Sequence, residues 1–196
     1  MKKGIIAIII IVGVIILGAL YVGSINNTMV EKDEAATGQW ANVESSYQRR
    51  ADLIPNIVNT AKGYAEFEKE TLTQVIEARA KATSVNIDAS NITPENIAAF
   101  QQAQGGLTSA LSRLLATFEQ YPNLKANENF KELINELERT ENRINVERNR
   151  FNGAAQDYNT YIRKFPKNIF AGMLGFERKG YFKADESASE APTVEF

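Results

Sequence analysis

Two adjacent arginines, an aspartate and an asparagine crowd the stretch "RRADLIPN", as Arg49, Arg50, Asp52 and Asn56, with Pro55 among them. Guanidinium and carboxylate groups at that spacing can grip a charged ligand or dock a partner. They can equally cap two helices and set the angle between them through a polar network. A second polar set lies further on: Asn127, Asn142, Arg143, Asn152, Tyr158, Asn159 and Arg163, followed by Pro166. Asparagine is a poor helix former, so Asn142, Asn152 and Asn159 inside a helical pattern point to hydrogen bonds between helices. Glu136, Glu141 and Glu147 are the carboxylates that could in principle hold a hard cation. Carboxylates on the surface of a long helix are far commoner than metal sites, so neither a metal nor a cofactor is expected.

Composition removes most catalytic chemistry. The 196 residues include no cysteine and no histidine. A thiol nucleophile, a Ser-His-Asp relay and a helical di-iron site of the Glu-x-x-His kind are all excluded within this chain. A carboxylate or lysine mechanism remains, and enzyme activity is not expected. Net charge is −2 with no basic block, so nucleic-acid binding is not expected either.

The elements that position these groups begin with an anchor. After Lys2 and Lys3 comes "GIIAIIIIVGVIILGALYVG", Gly4 to Gly23, twenty residues without a charge. At about 1.5 Å per residue they span roughly 30 Å, the hydrocarbon thickness, and lipid forces such a segment into a helix. A cleaved signal peptide is the alternative, but the run is long for one. Lys2 and Lys3 before the span outweigh Lys32 among its acidic neighbours, which places the body outside the cytoplasm.

The body reads as all-α. A first helix is expected from about Thr28 to Leu53, with Val30, Trp40, Val43 and Tyr47 inward. Pro55 lacks an N–H and disfavours helix before it, so a joint is expected there, with a second helix from Pro55 to about Thr83. Arg49 and Arg50 suit the end of one helix, and Asp52 the start of the next. Thr93 and Pro94 open a third helix, with Leu107, Leu111, Leu114, Phe118 and Tyr121 inward and a weak point at Gly105-Gly106. The fourth runs from about Ala126 to Phe165. Phe130, Leu137, Ile144, Phe151, Tyr158 and Phe165 recur every seven residues, the spacing of a packed, coiled-coil-like seam. Its polar middle, "ERTENRINVERNR", is read mostly as a solvated face. "FPKNIFAGMLGF" is apolar but too short to span, and either caps the bundle or meets a membrane interface or partner, capping being favoured. Residues 1–3 flank the span, 4–23 cross the membrane, 24–176 form the bundle and 177–196 form a flexible tail.

The motifs "RRADLIPNIV" (49–58), "KGYAEFE" (62–68), "RLLATFEQYPNLKANENF" (113–130), "TENRINVERNRFN" (140–152) and "YNTYIRKFPKNIFAGMLGF" (158–176) together resemble the LemA family of bacterial membrane-associated proteins. The resemblance covers nearly the whole chain. It departs at Phe67, where relatives often carry histidine, and at Phe151, where they often carry tyrosine. It implies one N-terminal transmembrane helix in the bacterial cytoplasmic (inner) membrane and an up-and-down four-helix bundle. It carries over no established enzymatic activity. Family genes often neighbour those of a membrane zinc metalloprotease of the HtpX type or a TPM-domain protein, which implies an envelope quality-control partner. The expected function is a membrane-anchored scaffold or adaptor acting through protein–protein contacts and self-assembly into a homo-oligomer. The alternatives are a membrane-tethered small-ligand sensor bundle and a carboxylate-dependent enzyme.

Overall fold

The computed structural model describes residues 2–63 and 68–183. Its elements are six helices: α1 (Lys2–Lys62), α2 (Lys69–Ser84), α3 (Pro94–Phe118), α4 (Pro122–Lys125), α5 (Glu128–Arg163) and α6 (Lys167–Leu174). No strand occurs among the described residues. The fold is an N-terminal apolar helix continuing into a helical bundle of α1, α2, α3 and α5, as the sequence leads one to expect.

The expected joint is absent. There is none at Pro55: α1 runs unbroken for 61 residues with Pro55 inside it. α1 ends instead at Lys62 and α2 begins at Lys69; residues 64–67, Phe67 among them, lie outside the described residues. A helical proline is costly because the carbonyl four residues earlier loses its amide donor. Here that carbonyl belongs to Ala51, and the Arg79 Nε of α2 donates to it at 2.8 Å. A side chain 28 residues away thus supplies the hydrogen bond that the proline cannot. Pro55 itself is exposed. Pro55→Ala is therefore expected to stabilise the protein by about 1–2 kcal/mol, less than the full helix-interior penalty because Arg79 already serves Ala51. Arg79→Met should cost about 1 kcal/mol in the natural chain and distinctly less beside Pro55→Ala. Denaturant titration of the four proteins of this cycle reads the coupling, and additive effects would refute the compensation.

α1 and α5 pair antiparallel. Arg49 meets Glu136, Arg50 meets Glu141, Trp40 meets Phe151 and Lys32 lies near Tyr161. The seven-residue seam on α5 is buried at Phe130, Leu137, Ile144, Phe151 and Tyr158. Phe165 does not join it. α5 ends at Arg163 and Phe165 is 81% exposed. Val30, expected inward, is 44% exposed.

Three apolar layers stack along the bundle. The layer farthest from the apolar span joins Ile54, Ile57 and Val58 of α1 to Leu72 and Val75 of α2, Leu107, Leu111 and Leu114 of α3, and Phe130 and Leu137 of α5. A middle aromatic layer holds Trp40, Tyr47, Phe100, Phe151 and Phe182. Nearest the span, Ile25 and Met29 of α1 pack with Tyr158 and Ile162 of α5 and Ala171 of α6. α3 opens on Thr93, whose hydroxyl accepts from the Asn96 N–H, with Pro94 in the first turn. It runs straight through Gly105 and Gly106.

The expected flexible tail from 177 is also corrected. Residues 176–183 form an extended strap across the bundle, and Phe182 is only 5% exposed. Gly175, at φ 79°, ends α6 and turns the chain into the strap, a conformation that favours glycine. The remainder of that tail, 184–196, lies outside the described residues.

Candidate functional site

The two arginines of the opening motif, adjacent in sequence, have opposite fates. Arg49 is exposed and reaches Glu136 across the surface at 2.7 Å. Its guanidinium holds the Glu136 carboxyl below the usual range, the hydrogen bond being the main cause. Arg50 is 1% exposed. Its Nη1 donates to Glu141 Oε2 at 2.8 Å and to Thr108 Oγ1 at 2.9 Å. Its Nη2 donates to Gln104 Oε1 at 2.7 Å, and its guanidinium carbon lies 5.0 Å from the centre of the Tyr47 ring. Gln104 passes the link on, donating to the Ala82 carbonyl near the end of α2 at 3.2 Å. One guanidinium of α1 therefore ties α3 and α5 directly, and α2 through Gln104. It forms a polar layer between the distal and the aromatic cores.

The rest of the motif lies outside this layer. Asp52 is exposed and accepts from Gln48 at 2.8 Å. Asn56 is exposed, and its backbone carbonyl accepts from the Thr60 hydroxyl. Arg49, Asp52, Asn56 and Arg143 share the wall of an open surface groove of ≈ 660 Å³ with Ser45 and Gln48. A ligand there would meet both signs of charge, with Leu53 in the same wall.

The second set divides differently. Asn127 caps α5, accepting from the Phe130 N–H at 2.9 Å. Asn142, Arg143 and Arg163 are exposed, and Pro166, joined to Phe165 by a cis bond, stands at the N-cap position before α6. Asn152 and Asn159, one heptad apart, reach the strap and not another helix. Asn152 donates to the Phe182 carbonyl and accepts from the Phe182 N–H, each at 2.9 Å. Asn159 does the same for Lys179 at 2.8 and 3.0 Å, and also donates to the Tyr181 hydroxyl. Gln101 of α3 repeats the grip on Lys183. The Tyr158 hydroxyl donates to the Glu177 carbonyl at 2.9 Å. Burial, then the Asp33 charge, pushes the Tyr158 phenol well above its ordinary range, so it stays protonated. These side-chain amides satisfy the backbone of an extended segment that has no neighbouring strand.

Two features of the site escape the sequence reading. Lys179 is buried at 6% exposure, pairs with Asp33 at 3.0 Å and lies 5.3 Å from the centre of the Tyr158 ring. It fastens the strap to α1. Gly180 passes so close to the start of α3 that a Cβ would stand 2.8 Å from Pro94 Cα and Thr93 O. Its N–H donates to the Ile92 carbonyl at 2.9 Å. The polar middle of α5 is mostly exposed, but Thr140 and Glu147 are buried. Glu147 pairs with Arg150 at 3.0 Å.

The three candidate carboxylates thus each face an arginine: Glu136 with Arg49, Glu141 with Arg50, and Glu147 with Arg150. Among the described residues no group of three or more acidic side chains gathers to hold a metal. Glu44, half-buried beside the aromatic layer, has its carboxyl pushed above the ordinary 4.5 by burial, against a weaker pull from the Trp40 indole. A raised folded value stabilises the fold only while the group is protonated. That contribution is present below the ordinary carboxylate range and is lost as pH rises through the folded value. Glu44→Gln is expected to raise the melting temperature at neutral pH, and the advantage should vanish in acid. A melting series across pH checks the sign.

The LemA family model matches residues 39–196. Over 189 residues the chain is 29% identical to Magnetosome protein MamQ 2 of Paramagnetospirillum magneticum, covering 86% of this chain and 68% of that protein. It is 28% identical over 189 residues to Magnetosome protein MamQ of Magnetospirillum gryphiswaldense, with the same coverage. It is 25% identical over 167 residues to Protein LemA of Metamycoplasma hominis, covering 85% and 72%. The match takes in the buried arginine layer, the α5 seam and the strap, and the chain belongs to the LemA family.

Proposed function

We propose that this protein is a membrane-anchored, non-catalytic scaffold that presents a stiff helical bundle to partners at a set height above the bilayer. The observation that carries this reading is α1. Its apolar run, Gly4 to Gly23, and its bundle-forming remainder are one continuous helix. From Gly23 to Lys62 it rises about 60 Å at 1.5 Å per residue. Family membership and the apolar N-terminal helix fit a membrane-associated protein, and the bacterial cytoplasmic membrane with an extracytoplasmic body is the location this reading takes.

The interior supports scaffolding over ligand sensing. Between the helices, where a bundle would hold a small molecule, Arg50 is already engaged by Glu141, Thr108 and Gln104. Outside, a groove of ≈ 670 Å³ runs between α2 and α3 past Ala78, Ala99, Ala103, Gly106 and Ala110. Side chains this small let a helix of another molecule approach closely. A second copy of the chain is the first occupant to test. An envelope membrane metalloprotease of the HtpX type or a TPM-domain protein is the second.

A photo-crosslinking residue at Gln102, in the groove wall, separates these in living cells, with Asn142 on the exposed face of α5 as the control. Crosslinks at position 102 to the chain itself or to an envelope protein, absent at 142, support the scaffold. A protein that stays monomeric and captures nothing at either position would overturn it.

A further inference from the structure

We infer that α6 is a membrane-surface helix: its outer face, with Phe165 before it, lies in the headgroup layer of an anionic phospholipid bilayer, the same bilayer that α1 crosses. The inference rests on the anchored reading of α1 given above.

Height is the first argument. α6 packs through Ala171 against Ile25 and Met29 of α1. The unbroken apolar run ends at Gly23, before Ser24, Asn26, Asn27 and Thr28. Ile25 is thus about 3 Å beyond the end of the span along the helix axis, and Met29 about 9 Å. The headgroup region on each side of a bilayer is about 5–7 Å thick. α6 is held at that level by its own packing, and a tilt of α1 brings it lower still.

Surface chemistry is the second. The inner face of α6 accounts for capping: Ala171 is buried, and Phe170 and Phe176 are partly buried against the same cluster. Capping leaves the outer face free to be polar, and it is not. Beyond Tyr21, eight large apolar residues are exposed among the described residues, and four of them are Phe165, Ile169, Met173 and Leu174. Phe165 at 81% and Met173 at 78% are by far the most exposed of the eight. Ile169 and Met173 are one turn apart, so they share a face. An apolar patch of this kind, concentrated in ten residues, marks a contact surface.

Charge names the occupant. Between Asp157 and Glu177 the chain has Arg163, Lys164 and Lys167 and no acidic residue, in a protein of net charge −2. Lys167 stands with its ammonium 3.8 Å from the centre of the Tyr161 ring. An apolar face edged by cations at headgroup height is the arrangement by which amphipathic helices bind anionic lipid.

The chain has no cysteine, so single labels are clean. The full chain, in nanodiscs of phosphatidylcholine with or without phosphatidylglycerol, would carry an environment-sensitive dye at Met173→Cys. Ile15→Cys marks the span and Gln102→Cys the distal groove. Lipids brominated on their acyl chains then report depth. The expected result is strong quenching at 15, intermediate quenching at 173 that rises with phosphatidylglycerol, and none at 102. Quenching at 15 with position 173 no different from 102 would overturn the inference and leave the anchor standing. No quenching at 15 would take down both. Quenching at 173 that is equal in the two lipid mixtures would overturn the anionic assignment. A dye at 173 shielded from both lipid and aqueous iodide would overturn the inference in favour of a protein cover.

Discussion

Arg50→Ala is expected to cost about 3 kcal/mol of folding stability, while Arg49→Ala, one residue away, should cost less than about 1 kcal/mol. The difference comes from what each leaves behind. Removing Arg49 breaks a surface pair with Glu136, and both groups return to water. Removing Arg50 opens a cavity where four helices meet and strands the buried Gln104 Oε1. Glu141 is 39% exposed at its side chain and can rehydrate, which keeps the loss at the low end for a broken buried pair. Arg50→Met should recover part of it, since an apolar side chain of similar length refills the space. Arg50→Lys should not, because an ammonium cannot reproduce the planar fork. Denaturant titration reads all four, and equal costs for Arg49→Ala and Arg50→Ala would refute this account. One practical result follows for binding studies. A partner lost from an Arg50 variant reports a weakened fold, so Arg49 and Arg143 in the surface groove are the better probes of that motif.

Phe182→Ala should be the most damaging single change outside the helices, at about 3–5 kcal/mol. The ring stacks on Trp40 at 5.9 Å and meets Phe151 and Phe100 edge-on at 5.8 and 6.4 Å. The Arg148 guanidinium covers it at 4.9 Å. Without it the aromatic layer is open on the side the strap closes. Gly180→Ala attacks the same strap without touching the core. Its Cβ would collide with the backbone at Thr93 and Pro94, so the strap must lift or α3 must shift. Asn159→Ala should weaken the strap by leaving the Lys179 N–H and carbonyl unpaired in a buried place, at about 1–3 kcal/mol. Hydrogen exchange at Lys179 and Phe182 is the check. Fast exchange in Asn159→Ala with the helices still protected is expected, and unchanged protection would refute the grip.

Local signals in the sequence were honest about helices and silent about what pairs at a distance. Thr93 with Pro94 marks the start of α3, and the heptad from Phe130 to Tyr158 marks the buried face of α5, because both depend on near neighbours along the chain. Pro55 misleads because its compensation is tertiary: Arg79 sits on another helix, and nothing near residue 55 announces it. Asn152 and Asn159 correctly signal hydrogen bonding by standing in a helix against their propensity. Their partner is a strap whose charged Lys179 and Lys183 disguise Phe182 as part of a solvated end. Glu147 reads as solvated among its polar neighbours, yet the packed bundle leaves it only 5% exposed. The arginine pair is the sharpest case. A motif offers two like residues, and a rotation of one hundred degrees around α1 makes one a surface charge and the other a buried hub.

The unbroken α1 also limits how copies can be arranged. A body on a slack tether can turn over, so two such bodies can meet about an axis lying in the membrane plane. A body continuous with its own span cannot: every copy inserted the same way keeps the same end up. Symmetry operations relating neighbours are then confined to rotations about the membrane normal and translations within the sheet. Pairs, closed rings and open rows standing upright satisfy that rule, whereas head-to-head dimers within one membrane do not.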